Sequence, residues 1–188
     1  MLFLQDLARF LNSTGCLDQA IQAYRQALEV DSEDLVICRE LAFALYRADR
    51  YDESLQVFQQ KLNANPDDIR FRVELGDFLQ LVGQFEESIG VYQKALSIDT
   101  NACEAYNNLG VALSKVGRFE QSIQAYQNAI GINPDYFEAY NNLGSVYKEM
   151  KQLIRAIESY QEAIRINPEV EEIHFNMGNV FKELDKHE

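Results

Sequence analysis

The sequence predicts an all-α protein, a right-handed superhelical solenoid of five helix-turn-helix repeats followed by one terminal helix. The segment YNNLG occurs at Tyr106–Gly110 and again, 34 residues later, at Tyr140–Gly144. The whole chain of 188 residues can be set out in rows of 34 without an insertion or a deletion. Within each row the apolar residues recur at steps of three and four, the period of one face of an α-helix. Because a hairpin of this size cannot bury its apolar face alone, neighbouring repeats must stack.

The rows define the repeats in order. They cover residues 1–34, 35–68, 69–102, 103–136 and 137–170, and residues 171–188 remain. Each complete row predicts two helices, and the remainder predicts one. We therefore expect a single repeat domain over 1–188, with its binding site on the helices or at the two ends, since no row carries a long loop.

The first helix of each row has a large apolar column followed by a small one. The seventh position holds Leu7, Leu41, Leu75, Leu109, Leu143 and Met177. The eighth position holds Ala8, Ala42, Gly76, Gly110, Gly144 and Gly178. Glycine inside a helix costs up to about 1 kcal/mol relative to alanine, so we expect a packing reason for this column.

The second helix has the same periodicity. Its small column consists of Ala20, Ser54, Ser88, Ser122 and Ala156. Its aromatic column consists of Tyr24, Phe58, Tyr92, Tyr126 and Tyr160. We expect the small residues to let the two helices approach closely, and the aromatic rings to fill the space between neighbouring repeats.

The turns between the two helices are marked by glycine in three rows. Gly15, Gly83 and Gly117 fall where the first helix must end in a left-handed residue. Asp49 and Lys151 take that place in two other rows, so we expect those two turns to be less regular. The second helix is closed by proline in three rows, at Pro66, Pro134 and Pro168.

These columns resemble the tetratricopeptide repeat. That repeat has a large residue at position four, Leu-Gly at seven and eight, Ala at twenty, an aromatic at twenty-four, Ala at twenty-seven and Pro at thirty-two. The resemblance extends over the whole chain; it is strongest in 103–170 and weakest in 35–68, where Cys38, Asp49 and Lys61 depart from it. It implies a concave groove lined by the first helices and a role in binding other proteins.

The groove columns suggest a binding site built from asparagine. Position six holds Asn108, Asn142 and Asn176 in three consecutive rows. An amide can donate to a C=O and accept from an N–H of an extended peptide, and the pattern resembles the asparagine ladder in the repeat domain of O-GlcNAc transferase. The alternative is that asparagine here only tolerates exposure at a seam between helices. We add as candidate peptide contacts the residues Asn107, Asn141, Ser145, Arg39 and Arg70.

A second groove chemistry known in this family is not expected. Chaperone-binding members grip a C-terminal carboxylate with Lys, Asn and Arg at fixed columns of three consecutive repeats. In this chain the windows place carboxylates, such as Glu40, Glu104 and Glu138, where an amide or a cation is required. We therefore do not expect this chain to bind that chaperone tail.

The composition narrows the class of partner and the compartment. The formal net charge is −13, which opposes nonspecific binding to nucleic acid or to an anionic membrane and favours a neutral or basic protein segment. Three widely spaced cysteines, Cys16, Cys38 and Cys103, indicate reduced thiols rather than a disulfide framework. With no predicted signal peptide or membrane span, we expect a cytoplasmic protein.

No catalytic centre is indicated. The two histidines, His174 and His187, both lie in the terminal remainder, and His174 occupies a column of large residues, so we expect it to be packed. No phosphate-binding glycine loop and no metal-ligand spacing is present. We expect neither enzymatic activity nor a cofactor or metal.

Three functions remain open. The first is an adaptor that binds a peptide of another protein in the groove. The second is the substrate-recruiting repeat domain of a larger enzyme, such as an O-GlcNAc-type glycosyltransferase. The third is a scaffold that self-assembles as a homo-oligomer through the uncovered terminal helix, where we expect Val180, Phe181 and Leu184 to be partly exposed.

Overall fold

A computed structural model describes residues 2–32 and 34–185, and every regular element within them is an α-helix. The helices are α1 Leu2–Ser13, α2 Leu17–Val30, α3 Leu35–Arg47, α4 Tyr51–Ala64, α5 Ile69–Leu81, α6 Phe85–Ile98, α7 Cys103–Lys115, α8 Phe119–Ile132, α9 Phe137–Glu149, α10 Leu153–Ile166 and α11 Glu171–Leu184. Each row of 34 thus contains two helices, and the remainder contains one. The predicted all-α repeat architecture is confirmed; the last three residues of the predicted terminal segment, 186–188, lie outside the described residues.

The contacts divide the chain into two compact units, and the boundary lies between Phe78 and Leu79, inside α5. In the N-terminal unit, Tyr24 of α2 is buried together with Ile37, Leu41 and Leu45 of α3. In the C-terminal unit, the buried cluster joins residues of α8, α9, α10 and α11. Each unit therefore has its own hydrophobic core, built from the apolar columns of the repeat.

The glycine column has a packing reason in the C-terminal unit. A Cβ atom added to Gly110 would lie 2.6 Å from Cε1 of Tyr126, and one added to Gly144 would lie 2.8 Å from Cε1 of Tyr160. Each ring therefore rests on the glycine of its own repeat, in addition to its place in the core. Gly178 of α11, in contrast, has no neighbouring atom within 4 Å of the same position.

The five turns inside the hairpins are alike. Gly15, Gly83 and Gly117 have φ between 77° and 82°, and Asp49 and Lys151 have φ of 58° and 59°. In every turn the next residue donates its N–H to the carbonyl five residues back, with N–O distances of 2.7–2.9 Å, as in a Schellman motif. The expectation of less regular turns at Asp49 and Lys151 is wrong, because these two residues adopt the left-handed conformation despite its steric cost.

The three cysteines are free thiols in different environments. Cys16 is exposed, Cys103 is half-buried and Cys38 is fully buried in α3. Burial of Cys38 raises the pKa of its thiol to about 11, because a thiolate would lose its hydration there. Cys38 is therefore a small core residue, as its apolar column predicts.

We predict opposite effects of the same substitution at two glycines. Gly110→Ala should lower the free energy of unfolding by about 1–3 kcal/mol, since the new methyl group collides with Tyr126. Gly178→Ala should raise it by roughly 0.5–1 kcal/mol, because alanine favours the helix and its methyl group meets open space. Urea unfolding followed by circular dichroism measures both, and equal effects of the two changes would contradict the packing assigned to Tyr126.

A second prediction concerns the turn at Asp49. Asp49→Gly should increase the free energy of unfolding by about 0.5–1 kcal/mol, because relief of the left-handed strain exceeds the entropy that glycine adds to the unfolded chain. Gly117→Ala is the matched control and should decrease it by about 1 kcal/mol. A destabilised Asp49→Gly variant would show that the Asp49 side chain stabilises the turn by another route.

Candidate functional site

In the C-terminal unit, the first helices of successive repeats carry the asparagines side by side. Helix α7 contacts α9, and α9 contacts α11. The residues at position six, Asn108, Asn142 and Asn176, are all half-buried, and so are Asn141 and Ser145. The regular step of 34 residues therefore brings the predicted amides to adjacent helices, as the solenoid requires.

The asparagine side chains are hydrogen-bonded to one another across the seams between repeats. Nδ2 of Asn142 donates to Oδ1 of Asn107 at 3.1 Å, and Nδ2 of Asn176 donates to Oδ1 of Asn141 at 3.3 Å. Nδ2 of Asn107 donates in turn to Oδ1 of Asn108 at 3.1 Å. The amides of Asn142 and Asn176 are thus each held by the position-five amide of the preceding repeat. These hydrogen bonds connect the first helices of successive repeats.

This arrangement corrects the expectation for Asn107. Its exposed fraction is only 7%, and its amide accepts from Asn142 and donates to Asn108. A buried amide with both ends engaged supports its neighbours rather than contacting a ligand. Asn142, by comparison, uses one of its two N–H donors in the bonds found among the described residues, so its second N–H and its oxygen can serve a ligand.

The same seam in the N-terminal unit is ionic. Nη1 of Arg39, at position five, lies 3.3 Å from a carboxylate oxygen of Glu74, at position six of the next repeat. Nη2 of Arg70 lies 3.3 Å from the carboxylate of Asp68, at the start of its own helix. Both arginines proposed as ligand contacts are therefore already paired with a carboxylate, so a carboxylate on a ligand would have to compete.

A cavity of about 440 Å³ lies among α7, α8 and α9 of the C-terminal unit. Its lining residues are Val111, Ser114, Lys115, Phe119, Tyr126, Asn142, Ser145, Val146 and Glu149. Two of these, Asn142 and Ser145, are candidates from the sequence; the others are not. The cavity thus adjoins Asn142, the middle one of the three asparagines at position six.

The lining combines apolar and polar side chains. Phe119, Tyr126 and the two valines supply apolar surface, and Lys115 and Glu149 are exposed. The Ser114 hydroxyl donates to the Val111 carbonyl at 2.9 Å, and the Ser145 hydroxyl donates to the Asn141 carbonyl at 3.1 Å. Both hydroxyls are thus hydrogen-bonded to their own helices.

The tyrosine hydroxyl at the base of the cavity is uncharged at neutral pH. Burial raises the pKa of Tyr126 far above its usual value, and hydrogen bonds with Ser122 and Ser114 oppose this rise only in part. The cavity therefore presents no negative charge from this group. The charged residues of the lining, Glu149 and Lys115, are both exposed.

The residue at position twelve differs between the cavity and the preceding seam. Position twelve is Ser114 in this repeat and Gln80 in the preceding one. Nε2 of Gln80 donates to the Tyr92 hydroxyl at 2.8 Å and to the Asn108 carbonyl at 2.9 Å. The residues equivalent to Tyr92 and Asn108 are Tyr126 and Asn142, which both line the cavity. At the preceding seam the longer residue thus bridges two groups whose equivalents, in Tyr126 and Asn142, belong to residues that line the cavity.

The terminal helix differs from the expectation in two places. Val180 is fully buried in the core cluster of the C-terminal unit, so it cannot belong to an accessible patch. Leu184 is half-buried against the same cluster, and Phe181 remains 42% exposed. His174 is exposed, with Nε2 2.8 Å from the Pro168 carbonyl oxygen, so the expectation that it is packed is wrong.

Two classes of site have no counterpart in the part of the chain that the structure describes. None of its helices is both long enough and apolar enough to cross a membrane. No group of three or more His, Cys, Asp or Glu side chains in residues 2–32 and 34–185 is arranged to hold a metal ion. The candidate site is therefore described by its amides and its cavity.

Comparison with known families agrees with the repeat register. A model of the TPR repeat matches residues 79–117 and 115–151, and models of the tetratricopeptide repeat match 137–170 and 11–72. The chain belongs to the tetratricopeptide repeat family. A search of curated protein sequences finds no significant match.

Solved structures show the same fold. The thermophilic TPR protein TTC0263 of Thermus thermophilus is 16% identical, with a TM-score of 0.70 over 96% of this chain and 98% of that one. YrrB, described as a TPR protein with an unusual peptide-binding site, is 23% identical, with a TM-score of 0.64 over 95% and 90%. MamA is 20% identical, with a TM-score of 0.65 over 86% and 94%. At these identities the likeness concerns the fold.

A double-mutant cycle tests whether the hydrogen bond between Asn107 and Asn142 stabilises the protein. Asn107→Ala and Asn142→Ala should each destabilise the protein, and the coupling energy between them should be about 0.5–1.5 kcal/mol, since both remove the same hydrogen bond. Asn142→Ala combined with Ser97→Ala, an exposed residue of α6, is the control and should be additive within about 0.5 kcal/mol. Additivity in both cycles would mean that the bond contributes nothing to stability.

Proposed function

We propose that this protein is a non-catalytic interaction module that binds an extended peptide segment of another protein along α7, α9 and α11. The observation that carries the proposal is the row of half-buried amides, hydrogen-bonded from repeat to repeat and placed on three successive first helices. The peptide contacts are Asn108, Asn142 and Asn176.

The mutual hydrogen bonds favour binding because they preorganise the amides. An asparagine side chain that is already held loses little rotational freedom when a ligand arrives. Asn142 and Asn176 each donate one N–H to the amide of the preceding repeat. This bond fixes the plane of the amide and the position of its remaining N–H and oxygen. Such a row suits a peptide backbone, whose N–H and C=O groups also repeat at regular intervals, and it does not select the side chains.

The other residues of the candidate site have secondary roles in this proposal. Asn141 and Ser145 flank the row, and Asn107 supports Asn142 from inside the seam. Arg39 and Arg70 belong to the N-terminal unit, where we retain them as candidate contacts to peptide carbonyls alongside their carboxylate partners.

The partner is expected to be a neutral or basic segment of a protein. The chain carries 30 acidic and 17 basic residues, and exposed carboxylates such as Glu138 and Glu172 lie on α9 and α11. Three free thiols are consistent with a cytoplasmic location. YrrB, which has the same fold, is described as having a peptide-binding site, and this supports a peptide as the class of ligand.

The same groove would serve an adaptor and the substrate-recruiting part of a larger enzyme equally well. The proposal concerns the binding site that both functions share. Self-assembly through the terminal helix has less support, because Val180 is buried and the exposed apolar surface of this helix comes mainly from Phe181 and Phe175, with exposed fractions of 42% and 68%.

Affinity capture from a lysate of the source cells tests the proposal. A variant with Asn108→Ala, Asn142→Ala and Asn176→Ala should lose its partners, since three hydrogen bonds of about 0.5–1.5 kcal/mol each correspond to a loss of at least ten-fold in affinity. Asn107→Ala should weaken capture less than the triple variant, because it removes one preorganising hydrogen bond but no peptide contact. Ser97→Ala, at an exposed residue of α6 outside the proposed site, is the control and should retain the partners. Capture of the same partners by the triple variant would place the site on another surface.

A further inference from the structure

We propose that the cavity among α7, α8 and α9 is a specificity pocket that takes one large apolar side chain, preferably aromatic, of the bound peptide. The inference rests on the proposed function, because it places the peptide backbone beside Asn142, which lines the cavity. It adds a sequence preference that the amide row alone cannot supply.

The cavity is large enough to hold one bulky side chain. About 440 Å³ lies at the lower end of the roughly 300–1,000 Å³ found for small-ligand sites. The preceding seam gives an internal precedent, since Gln80 reaches from α5 to both the Tyr92 hydroxyl and the Asn108 carbonyl. One side chain from within the protein bridges these groups at the preceding seam, and we infer that one side chain from a ligand takes the corresponding place at the cavity.

The lining favours an apolar occupant over a polar one. Two aromatic rings, Phe119 and Tyr126, face the cavity together with Val111 and Val146, and aromatic pairs gain energy beyond the area that they bury. The serine hydroxyls of Ser114 and Ser145 bond carbonyls of their own helices and do not require a polar partner.

The charges at the cavity do not select a charged side chain. Lys115 and Glu149 are opposite in sign, and both are exposed, so their effects on an occupant largely cancel and are screened by water. The buried Tyr126 hydroxyl stays neutral, because burial raises its pKa. A neutral side chain therefore enters without the cost of burying an unpaired charge.

The preference should apply to one position of the peptide. At the following seam, Ser145, Lys148 and Leu153 take the columns of Val111, Ser114 and Phe119. The Ser145 hydroxyl there lies 3.1 Å from the Tyr160 hydroxyl. That seam keeps the tyrosine, Tyr160, but has serine in place of Val111 and leucine in place of Phe119, so one bulky residue per peptide is expected.

The chain itself suggests the variant that closes the pocket. Ser114→Gln copies Gln80 of the preceding repeat and should reach the Tyr126 hydroxyl and the Asn142 carbonyl. Ser97→Gln is the matched control, because Ser97 is exposed on α6 and bonds the carbonyl of its own helix at Lys94. Both variants change one exposed or half-buried helical serine into glutamine.

The test is a selection of phage-displayed random peptides on the wild-type protein, followed by affinity measurements with the synthesised peptides. We expect the enriched peptides to share one aromatic or large aliphatic position. Its replacement by alanine should weaken binding to the wild type by about 10- to 100-fold, as loss of one buried large side chain implies. The Ser114→Gln protein should bind the parent peptide with a similarly reduced affinity, and the alanine replacement in the peptide should not reduce that affinity further. The Ser97→Gln protein should behave as the wild type.

The outcomes separate the two proposals. Peptides that lose affinity for Asn142→Ala but bind Ser114→Gln as they bind the wild type would overturn the pocket and leave the groove. Selection of no peptides, or of peptides insensitive to both variants, would overturn both. If Ser114→Gln does not fold, methyl NMR of the wild type decides: the Val111 and Val146 signals must shift with the parent peptide and not with its alanine analogue.

Discussion

The close contact between glycine and tyrosine inside the α7–α8 and α9–α10 hairpins is the constraint on which the C-terminal unit depends. The Tyr126 ring occupies the place that a side chain at position 110 would need, and Tyr160 does the same at position 144. The buried Ser122 hydroxyl, which donates to the Gly110 carbonyl at 2.7 Å, joins the helices at the same level. This contact sets the separation of the two helices, and so fixes where α7 and α9 present their asparagines to the next repeat.

A second constraint acts at three seams between repeats, where polar side chains at positions five and six of neighbouring first helices are joined. In the N-terminal unit the pair is Arg39 and Glu74; in the C-terminal unit it is Asn107 and Asn142, then Asn141 and Asn176. The pairing of positions is common to all three, but the chemistry differs. In a salt bridge each charge is neutralised by its partner. In an amide pair, by contrast, some N–H donors and oxygen acceptors remain for a ligand. The amide version is therefore the one suited to binding.

The sequence predicts the fold well because the repeat period, the glycine column and the turn residues are local signals that recur. The prediction fails at residues whose backbone conformation or burial is decided by neighbouring helices and not by the residue type. Asp49 and Lys151 adopt a glycine conformation because the hairpin on both sides demands the same turn. Asn107 is half of a repeated Asn-Asn pair and is a candidate peptide contact from the sequence, yet it is buried and hydrogen-bonded to Asn142 of the next repeat. Val180 is buried for a similar reason, by packing against the core of the C-terminal unit.

The cavity could not have been predicted from any single column. Position twelve is not part of the repeat pattern, and serine there is an ordinary helix residue on its own. Its effect emerges only when Ser114 is set against Gln80, whose amide connects the tyrosine of its own hairpin to the first helix of the next repeat. Where contacts of the repeat columns hold neighbouring helices together, a position outside those columns can still change what lies between them. In our proposal, the repeat columns thus build the groove, and Ser114, outside them, determines which side chain the groove accepts.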